Sequence, residues 1–77
     1  MSIGVYFSLY KGPEADDPLV DCVEATDEIE CWTDAAFYFA MHNGKGKYVI
    51  MDSISGKYRD VEIVNGYDGE YVLGERP

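Results

Sequence analysis

Hydrophobic and polar positions along this chain fall into short alternating runs interrupted once by a stripe of helical period. Ile3 to Tyr10 is rich in Ile, Val, Tyr and Phe and alternates imperfectly, which predicts a strand buried on at least one face. Lys11 to Pro18 sets Gly12, Pro13 and Pro18 around three acids, the chemistry of an exposed acidic loop. From Leu19 to Ala25 the residues Leu19, Asp21 and Val23 alternate with Val20, Cys22 and Glu24, predicting a second strand that pairs back on the first.

The next segment reads as a helix. Asp27 as N-cap with Glu30 three residues on resembles a capping box, and Asp27, Glu28 and Glu30 all favour the positive end of a helix dipole. Asn43-Gly44 predicts the end, with Gly44 in the left-handed conformation and His42 in the last turn, giving about four turns. At about 100° per residue, Ile29, Trp32, Ala36, Phe39 and Ala40 share one stripe, the expected core face. Asp27, Glu30 and Asp34 fall almost opposite, with Phe37 and Met41 between them and the core edge and Tyr38 on the other flank.

Beyond the helix, Lys47 to Ser53 and Tyr58 to Val64 predict a hairpin turning at Ser55-Gly56-Lys57. Asn65-Gly66 and Asp68-Gly69 are both strong turn dipeptides before a last strand at Glu70 to Leu73, and the pattern does not choose between them. The expected fold is a single α+β domain over residues 1–77, a mainly antiparallel sheet in ββαβββ order with one helix on one face. No internal repeat, linker or low-complexity segment interrupts it.

Composition sharpens this. A chain of 77 residues buries only about 60% of the surface its unfolded form exposes, so one Trp, seven Tyr and three Phe matter to its core. That aromatic content also argues against an acidic disordered tail. The start, Met-Ser-Ile-Gly-Val-Tyr, has no basic leader, and no apolar run approaches the roughly 20 residues of a bilayer crossing, so the expected location is cytoplasmic, without membrane contact. Cys22 and Cys31 lack C-x-x-C spacing and are read as two half-buried free thiols, a disulfide being the alternative.

The net charge of −9 is unevenly placed. Between Gly12 and Gly44 lie nine acids (Glu14, Asp16, Asp17, Asp21, Glu24, Asp27, Glu28, Glu30 and Asp34) and no lysine or arginine. The six remaining acids are balanced by six bases, Lys11, Lys45, Lys47, Lys57, Arg59 and Arg76. Such asymmetry costs stability through self-repulsion, which is either a by-product of solubility or an acidic surface aimed at a basic partner.

Catalytic chemistry finds little to work with. His42 is the sole histidine and is explained by its place at a helix C-terminus, and no base is predictably near Cys31. No phosphate-loop, dinucleotide or H-E-x-x-H motif occurs, and the acids lack the order of a calcium loop, so neither enzyme, cofactor nor metal site is expected. Lys45, Lys47 and Lys57-Tyr58-Arg59 form a small basic group, outweighed for direct nucleic-acid binding by the −9.

Carboxylates offer a better reading. On the expected helix Asp27, Glu30 and Asp34 would rise roughly 4.5 and 6 Å apart along the axis, comparable with the spacing of about 3.4 Å per strand phosphate in B-DNA. Glu14, Asp16, Asp17, Asp21 and Glu24 would extend that row, and Tyr38, with Phe37 and Met41, would anchor the contact. In size, acidity and absence of catalytic motifs the chain resembles small phage-encoded inhibitors that occupy nucleic-acid-binding sites, such as anti-CRISPR and anti-restriction proteins. The resemblance lies in bulk properties, and implies a monomeric or dimeric viral protein acting in the host cytoplasm on a basic nucleic-acid-binding complex or nuclease. A self-associating adaptor domain and an immunity protein against a basic nuclease toxin are the alternatives.

Overall fold

In the computed structural model, which describes residues 6–12, 18–53 and 55–74, the chain runs β1 (Tyr6–Lys11), β2 (Leu19–Glu24), α1 (Trp32–His42), β3 (Gly46–Asp52), β4 (Tyr58–Asn65) and β5 (Glu70–Leu73). The strands form one antiparallel sheet in the order β2-β1-β3-β4-β5, and α1 packs on one face, the expected α+β arrangement in ββαβββ order. The sequence-based start of β1 at Ile3 lies outside the described residues; its end extends one residue beyond expectation, to Lys11.

Register decides which side chains meet the helix. Phe7 stands opposite Val23 and Asp52, Leu9 opposite Asp21 and Ile50, and Tyr48 opposite Lys11 and Val61. Because opposed residues in antiparallel strands share a face, Phe7, Leu9, Tyr48, Ile50, Val61 and Ile63 form one apolar floor, and all are buried. Ala35, Ala36, Phe39 and Ala40 of α1 are each 0% exposed against it. Three alanines let the helix backbone approach closely, and Phe39 fills the space they leave.

The helix lies mainly over β3, β4 and β5. Its start is the main departure from the sequence reading. Asp27 is not an N-cap: α1 begins at Trp32 after Cys31, whose backbone is extended (φ −146°, ψ 175°). The preceding connector covers the β1–β2 end of the sheet instead, with Ile29 and Trp32 half-buried against the core and the Trp32 ring edge-on to Phe7 at 5.7 Å. A straight helix begun at Asp27 would leave Phe7 and Val23 without that cover, so tertiary burial overrides the local capping signal.

Helix closure also differs. Gly44 has no left-handed backbone, and Asn43 is extended at φ −134°. The last turn is capped by side chain and neighbour: Asn43 Nδ2 donates to the Phe39 carbonyl at 3.1 Å, and Gly69 N donates to the Ala40 carbonyl at 3.2 Å. Tyr67 N donates to the Asn43 carbonyl at 3.0 Å. Both candidate turn dipeptides contribute to the β4–β5 connection, which spans residues 66–69 with Tyr67 (φ 64°) and Gly69 (φ 80°) in the left-handed region. Asn65 Nδ2 donates to Glu70 Oε2 at 2.9 Å across its base.

A Cβ at Gly66 would lie 2.7 Å from Gly44 Cα and 2.8 Å from Lys45 N, so this turn presses backbone on backbone where α1 leads into β3. At Gly56 (φ 71°) a Cβ would meet nothing within 4 Å. Urea unfolding is therefore expected to show Gly66→Ala losing about 2–3 kcal/mol by overpacking, and Gly56→Ala only about 1 kcal/mol of left-handed strain.

Candidate partner-binding surface

The acids are built on three different supports. Asp27 and Glu28 occupy the apex of a tight turn in which Thr26 N donates to the Ile29 carbonyl (3.2 Å) and Ile29 N to the Thr26 carbonyl (3.1 Å). Thr26 Oγ1 also accepts from Glu28 N at 3.2 Å, a local bond that competes with helix formation. Glu24 projects from the edge strand β2, opposite Tyr6, and Glu30 follows the turn. Glu24, Asp27, Glu28 and Glu30 are all exposed.

Asp34 and Asp21 are committed inside the fold. Asp34 stands in the first turn of α1 and its Oδ2 accepts from Glu30 N at 3.0 Å, a reach back toward the helix start like that of a capping-box acid. Asp21 lies on the helix side of β2, opposite the buried Leu9, and its Oδ2 accepts from Asn43 Nδ2 at 3.1 Å. It thus ties an edge strand to the helix C-terminus, and is half-buried. Glu14, Asp16 and Asp17 lie outside the described residues.

The helical row Asp27–Glu30–Asp34 is corrected by this geometry, since Asp27 and Glu30 precede the helix. Glu28, at the turn apex, joins the exposed acids in its place. Tyr38 is half-buried, stacked on His42 (centroids 4.2 Å apart, 27° between planes) and edge-on to Phe39, so it is packed and not the free anchor expected. His42 Nδ1 lies 2.8 Å from the Tyr38 carbonyl, to which it donates its proton. Phe37 and Met41 are instead exposed, at 50% and 45%, with the Phe37 ring over Gly69. Cys22 and Cys31 are free, and both are exposed where half-buried thiols were expected.

The sequence reading did not anticipate the sheet face turned away from α1. Tyr6 stands opposite Glu24, Ser8 opposite Cys22 and Met51, and Tyr10 opposite Leu19 and Val49, which places all of these on the outer face. Val49 is fully buried there, outside the helix-side core. Tyr48-Val49-Ile50-Met51, apolar without alternation, was the available signal that β3 is covered on both faces. Farther along, an open groove of about 280 Å³ is lined by Lys47, Asp60, Glu62 and Val72 over Gly12 and Gly74.

Among the described residues no group of three or more His, Cys, Asp or Glu side chains converges as metal ligands would, and no helix is long and apolar enough to cross a membrane. No protein-family model, curated protein or solved structure matches this chain.

Asp34 and Asp27 should behave differently although the sequence pattern places both in one acidic row. Asp34→Ala is expected to lower stability by about 1 kcal/mol through loss of its bond to Glu30 N, while Asp27→Ala, which removes one like charge from an exposed turn apex, is expected to raise the urea midpoint slightly at low salt.

Proposed function

We propose that this chain is a non-enzymatic binding protein that docks an acidic edge on a basic nucleic-acid-binding protein, after the manner of phage anti-defence inhibitors such as anti-CRISPR or anti-restriction proteins. One observation carries the reading: Glu24, Asp27, Glu28 and Glu30 are exposed along one continuous stretch running from the edge strand β2 to the foot of α1, a stretch without lysine or arginine. The cations among the described residues sit elsewhere in the chain, at Lys11 where β1 ends, at Lys45 and Lys47 where β3 begins and at Lys57 and Arg59 where β4 begins.

Concentrated carboxylates of this kind attract a groove built to bind phosphate, accelerate encounter and make affinity strongly salt-dependent. The charges are spread over a strand edge and a turn, so they compete with nucleic acid by charge and not by reproducing a regular phosphate spacing. His42 is engaged with Tyr38 by stacking and by hydrogen bonding, which suits a structural part for the one histidine. An immunity protein acting on a basic nuclease would use the same surface. Self-association is favoured by one feature, the exposed Leu19 and Val20 on the open edge of β2.

The test is affinity capture from a host lysate on the immobilised chain, with wild type beside the variant Glu24→Gln/Asp27→Asn/Glu28→Gln/Glu30→Gln, which spares Asp34 and Asp21. The wild type is expected to retain a nucleic-acid-binding protein that salt elutes and DNA or RNA displaces, and the folded variant to bind it more than about tenfold less tightly at low salt. Equal retention by both would remove the acidic edge from the interface. A dimer in sedimentation that is indifferent to salt would favour self-association.

A further inference from the structure

The outer face of the sheet combines aromatic rings with carboxylates. Tyr6, Ser8 and Tyr10 share this face along β1, with the small Ser8 side chain between the two rings and Cys22 and Met51 beside it on the adjacent strands. Tyr6 is 44% exposed and Tyr10 half-buried. Glu24 stands directly beside Tyr6. On the same face, Asp60 is opposite Val49, and Glu62 is opposite Lys47 and Val72, at the groove of about 280 Å³. Among the described residues this face carries more carboxylates than lysines, with Glu70 two residues before Val72 on β5, and they surround the fully buried Val49.

Ring faces beside carboxylates suit a guanidinium better than an ammonium. Arginine is planar and weakly hydrated, stacks on aromatic rings and pairs with a carboxylate through two parallel N–H donors, whereas lysine offers a strongly hydrated point charge. The groove beside Val72 gives an apolar wall for a methylene stem, with Glu62 at its rim for the charged head.

We propose that this outer face is the part of the molecule that reads arginine, taking an arginine-bearing segment of the basic partner across Tyr6 and Tyr10 while the acidic edge at Glu24–Glu30 supplies attraction. This rests on the acidic-edge reading and adds the residues that select one cation over another. Charge complementarity commits the face to a basic protein segment; a second copy of this chain, itself at −9, would bring like charge against it.

Nona-arginine and nona-lysine peptides, matched in charge, test the proposal on the full chain by fluorescence anisotropy at low salt. Nona-arginine is expected to bind about fivefold tighter, and Tyr6→Ser/Tyr10→Ser to abolish that preference by weakening nona-arginine far more than nona-lysine. Amide shifts of the wild type on nona-arginine addition, which need no variant, should centre on β1 and the outward positions of β3 and β4. Equal, salt-sensitive binding of the two peptides, or shifts confined to the connector, would overturn arginine reading and leave the acidic edge intact. No binding of either would overturn both. A dimer lost in the tyrosine variant would assign the face to a second copy and overturn the proposal.

Discussion

Everything in this fold depends on the seam between α1 and the sheet, where Phe39 sits among Ala35, Ala36 and Ala40 over Leu9, Ile50 and Ile63. A chain this short cannot thicken its core, so it brings backbone close to backbone and places one large ring at the centre. The same economy governs the ends of the helix. At its N-terminus Trp32 meets Phe7; at its C-terminus the turn at residues 66–69 donates to the Ala40 and Asn43 carbonyls. The helix is thereby held at both its ends, with Asn43 bridging to Asp21 on β2.

That seam also determines where charge can go. Once Ile29 and Trp32 are drawn inward to cover the β1–β2 end, the polar residues between them and β2 are pushed outward as a turn, with Asp27 and Glu28 at its apex. The acids divide accordingly into two kinds. Asp21 and Asp34 accept hydrogen bonds that hold elements together, while Glu24, Asp27, Glu28 and Glu30 remain exposed. Keeping the second group close together opposes folding, and the Phe39 seam supplies the offsetting stability.

The strands were legible because each is a short run rich in β-branched and aromatic residues bounded by turn residues; β5 emerges at Glu70–Leu73 as expected from the dipeptides before it. The helix start was not. Asp27 followed by Glu30 satisfies a capping box by spacing alone, but Thr26 Oγ1 takes the Glu28 amide and Asp34 takes that of Glu30, two local bonds whose strength depends on where the core pulls Ile29 and Trp32. Periodicity set Phe37 and Met41 on one flank of the acidic row and Tyr38 on the other as contact anchors, yet only the fold decides that Phe37 rests on Gly69 in the open while Tyr38 stacks on His42. The candidate site was half visible: charge segregation could be read from the chain, whereas the outer-face tyrosines required the register that sets Tyr6 beside Glu24 and Tyr10 beside Val49.

The central claim is that the acidic edge is carried unneutralised on a fold whose stability comes from elsewhere. Its most direct measurement needs no partner: the unfolding free energy of the wild type in urea as sodium chloride is raised from about 0.01 to 0.15 M, over which the screening length falls from about 30 to 8 Å. The urea midpoint should rise steadily with an unchanged m-value, as screening relieves repulsion among Glu24, Asp27, Glu28 and Glu30. A midpoint that stays level or falls would mean that ion pairs neutralise these carboxylates, and would contradict the account.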